Sequence, residues 1–135
     1  MKYFLIAAAC LLFNQELKSQ FYFNYSEKEI RTTFASQADR IDVIPVAGQT
    51  TVMIQLYSSV YAFKLNKETA LCDFYSVRVD DPNLILKWIN DFNKNYVVLV
   101  ENQKWQTKYK GKTVTIAMRY TASTNATSFL FTTDN

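Results

Sequence analysis

The sequence predicts a single exported α+β domain built on a largely antiparallel sheet, with both helices on one face of that sheet. Three observations lead to this expectation. Residues 1–20 have the composition of a secretory signal peptide. Residues 21–135 contain two stretches of helical periodicity, each followed by stretches in which apolar and polar residues alternate. A chain of that remaining length suits one domain that needs no disulfide to fold.

The amino-terminal segment predicts export. Lys2 precedes an apolar run that ends at Phe13, and a polar stretch continues to Gln20. Because about 20 apolar residues are needed to span a bilayer, we expect cleavage near Gln20 and no stable membrane span afterwards. Residues 7–10 offer the small residues of a lipoprotein site, but the apolar run continues past Cys10, which argues against lipidation there.

Cysteine usage indicates the compartment. Cys72 is the one cysteine left after such a cleavage, so the remaining chain cannot form an intramolecular disulfide. Small secreted domains of eukaryotes are often rich in disulfides, and this chain therefore favours the periplasm or cell surface of a bacterium. Within its strand pattern, Cys72 is predicted to be a small buried hydrophobic residue.

The first predicted helix runs from about residue 27 to residue 37. Residues 26–29 read Ser-Glu-Lys-Glu, a capping box, and Ile30 and Phe34 follow on one helical face. Alternation predicts three strands after it. They cover residues 41–46, with Pro45 indicating a sheet edge, residues 51–65, with a bulge at Ser58 and Ser59, and residues 71–79.

The second predicted helix runs from about residue 82 to residue 95. Asp81 can cap it and Pro82 suits the first helical position, while Trp88 lies on its apolar stripe and is expected in the core. Three further strands are predicted over residues 97–107, 113–121 and 127–133. The resulting αβββ–αβββ order is compatible with one continuous sheet and with two pseudo-symmetric halves.

Composition excludes several kinds of chemistry. The chain has no histidine and 2 glycines, so it lacks the commonest general base and any glycine-rich phosphate loop. We expect no catalytic residues, no metal site and no cofactor, and the balanced charge argues against nucleic acid. A carboxylate-dependent hydrolase built on Asp73 is one alternative; the favoured interpretation of Asp73 is an edge-strand or solvent-side residue.

The candidate binding residues lie near the tip of a predicted hairpin. Lys104, Trp105, Lys108 and Tyr109 form a cluster of basic and aromatic residues, which is predicted to contact a protein or a glycan in the cell envelope. The competing interpretation is that Trp105 folds back onto the sheet and that the lysines only keep the hairpin soluble.

A second alternative is a carrier of a lipid or another small hydrophobic ligand. Such a carrier would hold its ligand between the helices and the sheet. The cavity expected for it is lined by Phe74, Trp88 and Phe129.

The carboxyl-terminal half also carries a resemblance. The run at residues 88–96, then Trp105, the Lys-Gly-Lys turn at residues 110–112 and Tyr120 are similar to small exported bacterial proteins of unknown function. More distantly, a helix followed by a Trp-bearing strand and two further strands resembles PepSY-like or beta-lactamase-inhibitor-like domains. That resemblance implies a repeated unit that binds or inhibits without catalysis, although the acid-rich hairpins common in PepSY-like sequences are absent here. It carries no functional residue over to this chain.

Overall fold

A computed structural model of the chain describes residues 21–134, and the predicted signal peptide lies outside this range. Within it the elements follow in the order αββββ–αββββ. The first unit contains α1 (Glu27–Phe34), β1 (Arg40–Val46), β2 (Gln49–Gln55), β3 (Ser59–Leu65) and β4 (Cys72–Val79). The second contains α2 (Pro82–Asn95), β5 (Val97–Val100), β6 (Lys104–Tyr109), β7 (Lys112–Thr121) and β8 (Ala126–Thr133). The predicted α+β class is confirmed.

All eight strands form one antiparallel sheet in the order β1-β2-β3-β4-β8-β7-β6-β5. The sheet is therefore continuous, and the two units meet at its centre, where β4 pairs with β8. In both units the strands run outward from this seam in reverse chain order. Because the seam is antiparallel, it relates the two units by a pseudo-two-fold axis perpendicular to the sheet.

The prediction of three strands in each unit is wrong, because each unit has four. The predicted strand at 51–65 divides into β2 and β3 at a turn in which the Leu56 amide donates to the Ser59 carbonyl at 2.8 Å. The predicted strand at 97–107 divides where the Gln103 amide donates to the Val100 carbonyl at 3.0 Å. Neither turn contains glycine or proline, and Asn102 takes the left-handed conformation that asparagine tolerates.

Both predicted helix starts are confirmed by their caps. The Ser26 hydroxyl accepts from the Glu29 amide and the Glu29 carboxylate accepts from the Ser26 amide, each at 3.2 Å. The Asp81 carboxylate accepts from the Asn83 amide at 2.9 Å, with Pro82 as the first helical residue. The first helix ends at Phe34, earlier than predicted, because the Phe34 carbonyl accepts from two following amides in a closing turn.

Alternation along the strands turns one face of the sheet into the core. The register aligns Phe63, Tyr75, Phe131 and Ile116 side by side across β3, β4, β8 and β7, and all four are buried. We name this the helix face because rings of both helices contact it. The contacts are Phe34 with Phe63 at 5.8 Å and Trp88 with Phe129 at 5.4 Å between ring centroids.

The two helices are buried to different depths. Ile30 and Phe34 of α1 are 0% and 4% exposed. No residue of α2 is fully buried, and Trp88 packs against the core while remaining partly exposed. The expectation that Trp88 is a core residue therefore holds only in part, because one side of α2 faces solvent along its whole length.

Residues 21–25 account for the deeper burial of α1. The Asn24 amide donates to the Cys72 carbonyl and the Cys72 amide donates to the Tyr25 carbonyl, both at 2.8 Å. This pairing lays Tyr22 against Phe34, with 5.4 Å between ring centroids. The segment thus fills the space between α1 and the sheet from the amino-terminal side.

Cys72 is buried, as its strand pattern predicted. The register of β3 on β4 shifts between Lys64 and Leu65, so Cys72 pairs with the core residue Leu65 and does not share a face with Phe74. Burial raises the pKa of the Cys72 thiol to about 12. The thiolate, the reactive form, is therefore not populated near neutral pH.

Candidate binding surface

The structure buries the aromatic centre of the predicted site. Trp105 is 0% exposed, and its ring lies 5.1 Å from that of Phe92. Its indole N–H donates to the side-chain oxygen of Asn93 at 2.7 Å. A buried indole whose donor is satisfied belongs to the core. The expectation that Trp105 is exposed for contact is wrong, and the competing interpretation, that it folds back onto the sheet, describes its position.

Strand alternation explains why the predicted cluster is split. Trp105 and Tyr109 lie four positions apart on the strand, so both point to the helix face. There Tyr109 packs on Phe21, with 5.2 Å between ring centroids. Lys104 and Lys108 point to the opposite face and are exposed. The lysines and the aromatic rings therefore lie on opposite sides of β6, and of the two rings Tyr109 is partly exposed.

We name the face opposite the helices the open face. The registers place Ala62, Ser76, Leu130 and Ala117 next to one another across its centre, on β3, β4, β8 and β7. All four are partly exposed, and within residues 21–134 no helix or second sheet covers them. Because these side chains are mostly small, the centre of the open face is shallow and can be approached closely.

The rim of this shallow centre is cationic. The strands bring six basic side chains to the open face: Arg40, Lys64, Arg78, Lys104, Lys108 and Arg119. They bring only two acids, Asp42 and the bulge residue Asp73.

Two of these cations are neutralised locally. The guanidinium of Arg40 pairs with Asp42 at 2.8 Å and that of Arg78 pairs with Asp80 at 3.3 Å. The other four basic side chains form no salt bridge with any residue in the described part of the chain. The open face therefore has a net positive charge.

A pair of arginines stands at one end of this face. Ser128 of β8 pairs with Arg78 on one side and with Arg119 on the other. Since neighbouring strands lie about 4.8 Å apart, the two arginine backbones are about 10 Å from each other. Guanidinium groups present forked donors that match carboxylates. Because Arg78 already pairs with Asp80, Arg119 is the guanidinium at this end that lies in no salt bridge among residues 21–134, and it can receive an acidic side chain of a partner.

The structure gives little support to the two alternative functions, a hydrolase and a carrier of a small hydrophobic ligand. Asp73 is exposed and accepts a hydrogen bond from the Asn66 amide at 2.9 Å, which agrees with its solvent-side interpretation. No cluster of three His, Cys, Asp or Glu residues that could hold a metal ion occurs in residues 21–134. Phe74 lies on the open face while Trp88 and Phe129 meet on the helix face, so the three residues expected to line a carrier cavity do not lie together.

Comparisons with protein-family models, with curated proteins and with solved structures give no match. The resemblance to PepSY-like and beta-lactamase-inhibitor-like domains therefore stays a prediction. No helix between residues 21 and 134 is both long enough and apolar enough to cross a membrane. The function has to be argued from the open face itself.

Proposed function

We propose that this chain is an exported, non-enzymatic module that binds the acidic surface of a protein partner through its open face. We place it in the periplasm or at the surface of a bacterial cell. The observation that carries the proposal is an uncovered sheet face with a shallow centre and four basic side chains outside any salt bridge among the described residues.

The size of the open face suits a protein partner. Eight strands spaced about 4.8 Å apart span about 34 Å between the outer strands. Most strands have 7 or 8 residues, and a seven-residue strand is about 24 Å long. The resulting area of about 800 Å² is close to the roughly 800 Å² that each partner buries in a standard stable interface. A small ligand would leave most of such a flat surface uncovered.

Its charge pattern favours an acidic protein over a glycan. Apolar and small residues at the centre with charged residues at the rim are the arrangement of protein–protein interfaces, and complementary charge selects and steers the partner. A glycan partner was expected from exposed aromatic rings. The strands place one aromatic residue, Phe74, on the open face, while Trp105 and Tyr109 lie on the other side.

Export is supported by the signal-like order of residues 1–20. Phe21 is 5% exposed and its ring contacts those of Tyr96 and Tyr109, so a cut beyond Phe21 would remove a core side chain. We therefore expect processing at or before Gln20. Sequencing the amino terminus of the protein isolated from its own envelope measures this directly, and an intact Met1 would contradict it.

The decisive experiment is crosslinking and affinity capture in the cell envelope with charge-reversed variants. The double variant K104E/R119E replaces two cations of the open face that lie in no salt bridge among residues 21–134. Because a reversed charge both removes an attraction and adds a repulsion, we expect capture of the partner to fall at least about tenfold. Raising the salt concentration should weaken capture by the wild type as well.

The matched control is Lys87→Glu, which reverses an exposed lysine on α2, in the layer opposite the open face. We expect this variant to capture the same partner as the wild type does. All variants should keep the wild-type thermal unfolding temperature, because none of the three residues is buried. If K104E/R119E captures as much of the partner as the wild type does, the open face is not part of the interface.

A further inference from the structure

The two outer strands of the sheet differ in how their edges are guarded. Natural proteins protect an unpaired strand edge with charged residues or proline, because its free backbone groups can pair with another chain. β1 has Arg40 and Asp42, joined by a salt bridge at 2.8 Å, and Pro45, which lacks an amide hydrogen. β5 reads Val-Val-Leu-Val and has none of these guards.

All four side chains of β5 are exposed, between 42% and 64% of their area. They form an unbroken apolar row on an edge that no strand of residues 21–134 pairs with. Such a row on a strand edge is a site of association. The register on β6 shifts between Val98 and Val100, and this bulge limits how much of the edge can pair regularly.

We propose that β5 is the edge at which a second copy of this chain docks, by antiparallel pairing of β5 with β5 across a two-fold axis. Every side chain of β5 is apolar, so antiparallel self-pairing sets apolar residues opposite apolar residues in any register. The strand is therefore complementary to itself.

The proposed contact repeats an operation that already exists inside the chain. β4 and β8 join the two units by antiparallel pairing at the centre of the sheet. A β5–β5 contact has the same geometry, continues the sheet from one copy into the next and leaves both open faces on the same side. The proposal does not depend on the proposed function, because it concerns the edge of the sheet and requires no other protein.

The expected association is reversible. Four-residue strands bury less than the roughly 800 Å² per partner of a standard stable interface, so a concentration-dependent dimer is the expected species. Sedimentation velocity on the protein as isolated from cells, over about 1 to 200 μM, should show a monomer that converts to a dimer as concentration rises.

The variant that tests the edge is Val97→Lys, compared with Val46→Lys on the opposite edge. Val97 and Val46 are 64% and 55% exposed, and each pairs with a glutamine of the neighbouring strand. Both substitutions therefore add one charge to an outer strand without emptying a buried position. We expect Val97→Lys to raise the dimer dissociation constant at least about tenfold, whereas Val46→Lys should leave it within about twofold of the wild type.

Each other outcome overturns the proposal. A wild type that stays monomeric at every concentration would show that no second copy docks there. If such a monomer also protects the β5 amides from hydrogen exchange, another part of its own chain covers the edge. Equal weakening by the two variants, or a dimer that Val97→Lys does not change, would place the contact elsewhere. None of these results bears on the open face, whose partner is absent from the assay.

Discussion

The two αββββ units fill one core with different side chains. In the first unit Val52 of β2 lies opposite Phe63 of β3; in the second Trp105 of β6 lies opposite Ile116 of β7. All four are fully buried. Each pair joins one large ring to one smaller aliphatic residue. The ring lies on the inner strand, β3, in the first unit and on the outer strand, β6, in the second. The core thus constrains the summed volume of neighbouring positions more tightly than the residue at either one, which is why the repeat is not visible as residue identity.

The helices show a second contrast. α1 is short but deeply buried, because residues 21–25 close over it. α2 is nearly twice as long and is only half-buried along its apolar stripe. A helix contributes stability according to the area that it buries rather than its length. The shorter helix should therefore be the more sensitive to substitution.

The largest expected effect concerns the two buried pairs, Val52 with Phe63 and Trp105 with Ile116. Trp105→Ala should lower the free energy of unfolding by about 3 to 5 kcal/mol, because it empties a buried site and removes the donor to Asn93. Val52→Ala, at the corresponding strand position of the first unit, should cost about 2 kcal/mol, because it removes less volume. Urea unfolding measures both. A loss of less than about 1 kcal/mol for Trp105→Ala would contradict the burial of this ring.

The helix contrast can be measured with a pair of isoleucines. Ile30 and Ile85 occupy the same place after their caps, since each amide donates at 3.0 Å to the carbonyl of its N-cap residue. Ile30 is fully buried and Ile85 only partly. We expect Ile30→Ala to cost about 3 to 4 kcal/mol and Ile85→Ala less than about 2 kcal/mol. The reverse order, in the same unfolding assay, would mean that α2 anchors the sheet.

A third contrast concerns alkaline pH, because burial raises the pKa of more tyrosines in the first unit than in the second. Burial raises the pKa of Tyr22 to about 12 and also raises the pKa of Tyr75, whereas Phe131, the residue beside Tyr75 in β8, cannot ionise. The unfolded chain, with tyrosine pKa near 10, loses these protons first, so stability is complete below about pH 10 and falls as pH rises. Tyr22 should contribute a slope of about 1.4 kcal/mol per pH unit between about pH 10 and pH 12.

Urea unfolding between about pH 8 and pH 11.5 measures this slope. Tyr22→Phe should flatten it, because it removes one of the buried hydroxyls. Tyr57→Phe is the control, since that ring is 97% exposed and makes no core contact. An alkaline slope that Tyr22→Phe leaves unchanged would mean that Tyr22 does not titrate from a buried site.

Local signals in the sequence predicted what local interactions determine. The capping residues located both helix starts, since a cap is a hydrogen bond within one turn. The turns that divide β2 from β3 and β5 from β6 were missed, because neither contains glycine or proline and the break in alternation at Ser58 and Ser59 also fits a bulge. The residues of the predicted site are divided between two faces for a different reason. The prediction grouped Lys104 with Trp105 by proximity along the chain, although alternation sends adjacent strand residues to opposite faces.

The sequence by itself therefore determined the class of the domain, the starts of its helices and the exclusion of chemistry that needs histidine or glycine-rich loops. Each of these follows from composition or from contacts a few residues apart. Only the tertiary structure decided that the sheet is continuous across β4 and β8, that Trp105 is buried and that β5 lies unguarded at an edge. These features depend on which strands become neighbours. That choice is made by pairing between distant segments, and the local sequence pattern of a strand does not show which strand it will pair with.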